Sequence, residues 1–251
     1  MALPKWQTAV VTRIIDEAPN TRRFFFEVPE LDNFVFEPGQ FVTLDLPISE
    51  VKNKRWRSYS ISSSPAGNNT FELLIVLNRE GSGTTWMWAN VEVGMEMIFR
   101  GPLGKFTIPK ELDKDLFLIC TGTGIAPFRS MVNHIEQHKI PHKHIYLIFG
   151  TRRFGDELYA AEMRNLEKTL PNFLYLPTYS REPPNSEYLT GYVHEIYSDI
   201  LLKKQADADE PDFLPPATIM LCGWQNMIDE ARRRLTDMGY TRADLHYELY
   251  G

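Results

Sequence analysis

The chain has 251 residues, 43% apolar and 24% charged, which leaves room for one large domain or two small ones, each with its own core. A net charge of -6 argues against a general nucleic-acid binder, and two cysteines are too few for a four-thiolate zinc site or a four-cysteine iron–sulfur cluster. Five Trp, eleven Tyr and fifteen Phe suit a packed core and equally a protein that stacks flat rings.

The opening Met1-Ala2-Leu3-Pro4-Lys5-Trp6 has no charged segment leading into an apolar one, so no signal peptide is read there. No apolar run reaches membrane-spanning length, and no membrane association is expected. The first hundred residues read as strands and turns. Phe41–Leu46 alternates apolar and polar residues, Phe71–Leu77 is rich in β-formers, and Met95–Arg100 is a further strand. Glu37-Pro38-Gly39, Gly67-Asn68-Asn69 and Gly101-Pro102-Leu103-Gly104 are read as turns between them. Short strands with regular punctuation predict a β-barrel or sandwich.

Within this half lies Arg57-Ser58-Tyr59-Ser60-Ile61-Ser62-Ser63-Ser64-Pro65. An aromatic in a β stretch ordinarily means core packing, but a flanking cation and a run of hydroxyls are costly to bury without partners. A flavin would supply them: Tyr59 covering the ring, Arg57 meeting the pyrophosphate, Ser60 reaching the N5 edge. Nearby Lys52, Lys54 and Arg55 read first as solvated surface.

The charged stretch Pro109–Asp115 is read as a linker, giving domains at 1–109 and 110–251. Beyond it, apolar runs at Leu116–Cys120, Ile145–Phe149, Phe173–Leu176 and Thr218–Cys222 alternate with helical patterns. The helices are expected at Ala126–His138, Asp156–Leu170, Val193–Lys203 and Asn226–Met238, with a last strand at Leu245–Tyr250. Such alternation predicts a five-stranded parallel sheet covered on both faces. Lys204–Pro216, acidic and Pro-rich, is expected to be a surface excursion. Cys120 and Cys222 each end an apolar run, which suggests buried, reduced thiols in a cytoplasmic protein, a disulfide being the alternative.

Thr121-Gly122-Thr123-Gly124-Ile125-Ala126-Pro127 joins a buried strand to a helix. Glycines let the backbone approach a phosphate, and the helix start offers free N–H groups, although many such turns carry Gly for packing alone. Three further strand ends lie on the rim where a parallel sheet binds ligands: Phe149–Arg153 with Thr151 and Arg152, Pro177–Glu182 with Ser180 and Arg181, and Cys222–Met227. Ser180 with Arg181 suits the terminal phosphate of NADP; the plainer reading is a turn serine and a surface arginine.

Taken together, the chain resembles the ferredoxin–NADP reductase family. Arg57-Ser58-Tyr59-Ser60 is similar to the family's flavin motif and Gly122–Pro127 to its NADP pyrophosphate motif. Ser180-Arg181 resembles its 2′-phosphate pair, and Cys222-Gly223 its nicotinamide-side motif. The resemblance spans nearly the whole chain in order and spacing. It implies an antiparallel Greek-key β-barrel for the flavin followed by an α/β domain for NADP. It further implies that Ile61, Ser62 and Ser63 line the flavin. Gly83, Thr84 and Thr85, within Gly81–Trp86, would form a second flavin-phosphate element in which Thr84 caps a phosphate. Glu248-Leu249-Tyr250 resembles the Glu-x-Tyr ending of plant-type members. By that analogy Ser60, Cys222 and Glu248 surround the reaction centre, and Tyr250 is a displaceable cover that gates nicotinamide entry. In this chain Gly251 follows the tyrosine, and Tyr192 stands where many bacterial members place a basic residue; it either stacks on adenine or packs.

The implied cofactors are FAD and NADP(H), with no metal, and the implied chemistry is hydride exchange between nicotinamide and flavin N5. Single electrons would pass to or from ferredoxin or flavodoxin, bound transiently by a monomer. Lys52, Lys54 and Arg55 could steer an acidic ferredoxin. The rival readings are the reductase component of a multi-protein oxygenase, a free-flavin reductase, and a non-catalytic binding subunit on the same fold.

Overall fold

The computed structural model describes residues 4–208, 210 and 213–250. The Met1–Leu3 start, Gly251 and residues 209, 211 and 212 of the acidic excursion lie outside the described residues. The chain folds as two compact units, 1–108 with 126–137, and 109–125 with 138–251.

The first unit is a six-stranded antiparallel sheet of β1 (Trp6–Ala18), β2 (Thr21–Glu27), β3 (Phe41–Asp45), β4 (Trp56–Ser60), β5 (Thr70–Val76) and β6 (Glu96–Leu103), in the order β4-β3-β6-β1-β2-β5. An antiparallel bridge between Ile61 and Leu73, and a 2.9 Å bond from the Ser62 N–H to the Glu72 carbonyl, join the two ends of that order. The sheet closes on itself as a barrel, which removes its open edges. Phe24 and Phe26 of β2, Phe71 and Phe99 point inward and are fully or almost fully buried, and Phe26 stacks on Phe71 at 4.9 Å. Helix α1 (Ser82–Asn90) adds Met87 to this core. Helix α2 (Ile125–His138) contributes its residues 126–137 to the same unit, with Phe128 against Phe106 at 5.8 Å.

The longest strand lies outside the sequence expectations and one expected turn fails, both for backbone reasons. The longest strand, β1, gives no clean alternation because its register with β2 shifts between Val11 and Arg13 and again between Asp16 and Ala18. Gly101-Pro102-Leu103, expected as part of a turn, belongs to β6. An irregularity opposite Phe41–Thr43 makes room for the proline, and Gly101 is needed because a Cβ there would stand 2.9 Å from Val42 Cγ1.

The second unit is a parallel sheet of β7 (Asp115–Thr121), β8 (Ile145–Thr151), β9 (Phe173–Tyr179), β10 (Leu189–Thr190), β11 (Ala217–Trp224) and β12 (Leu245–Tyr250), in the order β10-β9-β8-β7-β11-β12. The expected five strands become six because Leu189–Thr190 pairs with β9. Helices α4 (Val193–Ala206) and α5 (Gln225–Asp237) bury Tyr197, Leu201, Ile228 and Leu235 against Phe117, Ile148, Ile219 and Leu221 of the strands. The helix expected from Asp156 begins at α3 (Ala160–Thr169). Ahead of it, Glu157 is held in the fold by Tyr175 Oη (2.9 Å), Tyr179 Oη (2.6 Å) and Arg164 (2.8 Å). The chain runs outward from β7 through β8, β9 and β10, then returns to β11 on the other side of β7. The switch point between β7 and β11 is where an open parallel sheet offers a crevice at its carboxyl edge.

Candidate functional site

In the barrel unit, β4 lies along β3 with Tyr59 opposite Val42 and Arg57 opposite Leu44. Strand alternation turns Arg57 and Tyr59 to one face and Ser58 and Ser60 to the other. Arg57 Nη1 donates to the carbonyls of Lys54 (3.0 Å) and Trp56 (2.8 Å), and Nη2 to Ser82 Oγ (3.2 Å). These bonds leave Nε–H and one Nη2–H for an anion. Gly83 makes this position reachable, since a Cβ on it would stand 2.9 Å from Arg57 Cγ and 3.0 Å from Nε. That close approach and donor set fit a flavin phosphate. Burial pushes the Tyr59 phenol up to about 12, against the opposing pull of Arg57, so it stays a neutral aromatic at working pH. Ser58 is exposed with its hydroxyl 3.0 Å from Thr43 Oγ1, and Ser60 is buried.

The remaining expected flavin residues have other partners. Ile61 is fully buried in the barrel core. Ser62 Oγ bonds the Glu72 carbonyl (3.1 Å) and carboxylate (3.2 Å), and Ser63 Oγ accepts the Glu72 N–H at 3.1 Å. Thr84 Oγ1 donates to the Asn78 carbonyl (2.9 Å) and accepts the Asn78 N–H (3.0 Å), while Thr85 Oγ1 is 3.4 Å from the same carbonyl. The hydroxyl beside Arg57 is therefore that of Ser82, two positions before the residue the motif alignment favoured.

Glu72, which sequence reading passed over, is the hub behind this loop. It is 3% exposed and receives Arg23 Nε (2.8 Å) and Nη2 (3.0 Å), Arg129 Nη1 (3.1 Å) and the Ser62 hydroxyl. Arg129 also donates to the Ser62 carbonyl (2.9 Å), and Ser130 Oγ to the Ser63 carbonyl (2.6 Å). Residues far apart in sequence thus lock the segment after Ser60 to β2, β5 and α2.

In the sheet unit, Gly122–Gly124 forms a 3-10 turn at the end of β7, and Gly122 has a φ of +53°. A Cβ on Gly124 would stand 2.3 Å from the Cys222 carbonyl, so only glycine lets this turn pass the end of β11. Thr121 Oγ1 is shut off from solvent and has no hydrogen-bond partner among the described residues. It faces Gly223, whose added Cβ would stand 2.5 Å away. A buried hydroxyl without a partner, at the switch point beside a glycine turn, fits a nucleotide phosphate. Thr123 lies within the turn, half-buried.

Two strands along, backbone pairing continues past the sheet. The Ser180 N–H donates to the Thr151 carbonyl (3.0 Å) and the Arg181 N–H to the Arg152 carbonyl (2.9 Å). This sets two exposed guanidiniums and the Ser180 hydroxyl on adjacent strand ends. Tyr192, 65% exposed, starts α4, with its backbone N–H bonded to Glu195.

On the other side of β7, parallel register pairs Cys222 with Glu248 and Trp224 with Tyr250. Burial pushes the Cys222 thiol well up, the Glu248 carboxylate adds to this, and the nearby Tyr250 hydroxyl opposes it. Cys120, in register with Cys222, is likewise held as a thiol by burial, and both cysteines are free. Cys222, Glu248 and Tyr250 are thereby brought together within this unit; Ser60 belongs to the barrel unit.

Among the described residues no three His, Cys, Asp or Glu are grouped to hold a metal, and no helix is long and apolar enough to cross a membrane. Residues 8–108 match the oxidoreductase FAD-binding domain model, and residues 118–233 match the oxidoreductase NAD-binding domain model. The chain is 30% identical over 236 residues to ferredoxin–NADP reductase B of Sorangium cellulosum, covering 93% of each. It is 27% identical to the anthranilate 1,2-dioxygenase electron transfer component of Acinetobacter baylyi, over 89% of this chain and 60% of that one. Against this and two monooxygenase reductase relatives it spans only 60–64% of their length. Among solved structures, a ferredoxin NADP+ reductase from Neisseria gonorrhoeae with bound FAD and NADP aligns with a TM-score of 0.79 at 23% identity, over 98% of both chains.

Proposed function

From the premise that this chain belongs to the ferredoxin–NADP reductase family and is a flavin-dependent NAD(P)H oxidoreductase, we propose that it is a reductase selective for NADP(H), working through bound FAD with ferredoxin or flavodoxin as electron partner. A flavin held there would supply the chemistry the side chains lack, hydride exchange with the nicotinamide and single-electron exchange with a carrier. The observation that supports the NADP preference is the backbone pairing of Ser180-Arg181 with Thr151-Arg152, which brings two arginines and a serine to adjacent strand ends.

In this reading Arg57, with Ser82 beside it, holds the flavin diphosphate, Tyr59 covers the ring, and Ser60 bonds near N5. Thr121 and the Gly122–Gly124 turn hold the nucleotide diphosphate. Cys222, kept as a thiol by burial, packs against the nicotinamide. Glu248 takes part in proton movement, and Tyr250 is displaced as the nucleotide enters.

Anaerobic titration of the purified protein with NADPH and with NADH, followed by flavin bleaching, tests the reading, with ferredoxin and flavodoxin then added as oxidants. NADPH should bleach the flavin at far lower concentration than NADH, and a carrier should restore the colour. A colourless protein without nucleotide-dependent reduction of ferricyanide would favour a binding subunit instead. The oxygenase-linked relatives support a second reading, in which the acceptor is the iron–sulfur partner of an oxygenase. Preference for such a partner over ferredoxin and flavodoxin would select it. In either case Lys52 and Lys54, exposed on a short 3-10 helix, are available to an acidic carrier, whereas Arg55 is paired with Asp45 at 2.7 Å. Carrier reduction should then slow steeply with salt.

A further inference from the structure

Trp224 has no role in the account so far, yet it is 57% exposed at the carboxyl end of β11. A single exposed aromatic is ordinary on a protein surface, so it is the position of this one that bears on function. Its place is specific. It is the N-cap residue of α5 but makes no side-chain cap bond, so capping does not explain it. Its indole Nε1 stands 3.9 Å from the point a Cβ on Gly122 would occupy, at the mouth of the glycine turn. The unpartnered Thr121 hydroxyl lies at the same turn, facing Gly223. The sheet order then sets out a line: Ser180-Arg181 at the end of β9, the glycine turn at the end of β7, Trp224 at the end of β11. A dinucleotide laid along it, 2′-phosphate at the arginines and diphosphate at the turn, carries its nicotinamide half toward β11.

We propose that Trp224 is a nucleotide-binding residue of this reductase, its indole N–H donating to the diphosphate held at Gly122 and its ring screening the nicotinamide side of that diphosphate from water. An indole N–H is a donor only, so an anion is the group it suits. A charge-assisted bond in a screened position is strong enough to matter to affinity. This inference rests on the proposed reading that the turn binds a nicotinamide nucleotide.

The test uses the flavin-loaded full chain and its Trp224→Phe and Trp224→Ala variants. Binding of NADP+, NAD+ and 2′-AMP is measured by calorimetry, and KM and kcat by steady-state NADPH oxidation with ferricyanide. Loss of the indole donor in the Phe variant should weaken NADP+ about tenfold. The nucleotide KM should rise in parallel, with kcat and the flavin spectrum unchanged. 2′-AMP, which has no diphosphate, should bind all three proteins alike. The Ala variant should be weaker again toward NADP+, because it also loses the screening ring. Equal NADP+ affinity in wild type and both variants would overturn the role of Trp224 while leaving the nucleotide site standing. Equal weakening of 2′-AMP would overturn the diphosphate assignment. A wild-type protein that binds neither dinucleotide would overturn both this inference and the reading beneath it.

Discussion

The two cofactor motifs are built in opposite ways. The segment from Arg57 to Ser63 is wired into its unit. Arg57 is held by two carbonyls and Ser82, Ser62 donates to a buried carboxylate that also holds two arginines, and Ser63 accepts the backbone N–H of the same Glu72. The segment from Thr121 to Gly124 is defined by what it lacks: side chains at Gly122 and Gly124, and a partner for Thr121. A wired site resists movement and couples binding to stability, whereas an open site separates them. Cutting the bonds to Glu72 should therefore damage the fold at the first motif, whereas removing the Thr121 hydroxyl should touch affinity alone at the second.

The largest expected effect is at the hub. Glu72→Ala takes their shared carboxylate from Arg23 and Arg129, whose side chains are 19% and 12% exposed, leaving Arg23 with Glu17 at 3.4 Å and Arg129 with the Ser62 carbonyl at 2.9 Å. Losing these charge-assisted bonds should cost about 2–3 kcal/mol, read as a lower urea midpoint at unchanged slope, with flavin lost earlier in the titration. A loss below about 1 kcal/mol would mean that the segment after Ser60 is held by something else, and the contrast between the motifs would fail.

Arg57→Ala comes next, and it tests where wiring ends and binding begins. Two donors of this side chain remain for a phosphate, so flavin affinity should fall roughly 10–100-fold in a fluorescence titration. Lys54 is exposed and Trp56 half-buried at the start of β4, and the folded far-UV spectrum should persist. Retention of flavin through gel filtration at wild-type levels would remove Arg57 from the site. On the open side, Arg181→Ala should raise the NADPH KM by about tenfold and leave the NADH KM unchanged, since only NADPH carries the 2′-phosphate. An equal effect on both nucleotides would assign the guanidinium to the diphosphate or to the fold.

This contrast also governs what the sequence made legible. The sheet unit declares itself because its signals are local: continuous apolar strands, a glycine turn between Cys120 and Ile125, and amphipathic helices, of which only α3 starts later than expected. Even its unforeseen strand is only two residues long. In the barrel unit the Arg57–Ser60 motif is local and readable, but its supports are not. Glu72 meets Arg23 and Arg129 across 49 and 57 residues of chain, and in a linear reading each is an ordinary surface charge. The bulged β1 hides its own alternation. Ser62, Ser63 and Thr84 illustrate a further limit, for a hydroxyl's presence near a motif says nothing about which acceptor it will find.

The smallest expected effect separates the two designs most cleanly. Thr121→Val keeps the shape of the side chain and removes a hydroxyl that the fold leaves unsatisfied. Burying such a group without a partner is unfavourable, so its removal should leave the nucleotide-free protein as stable as before or more stable, by up to about 1 kcal/mol. The same change takes away a donor poised for the nucleotide diphosphate, and NADP+ affinity should fall a few-fold. Stability and affinity would then move in opposite directions, the signature of a group kept for its ligand. If Val instead lowers the unfolding midpoint, the hydroxyl has a partner within the fold, and the Thr121 turn is wired in the same manner as the loop after Ser60.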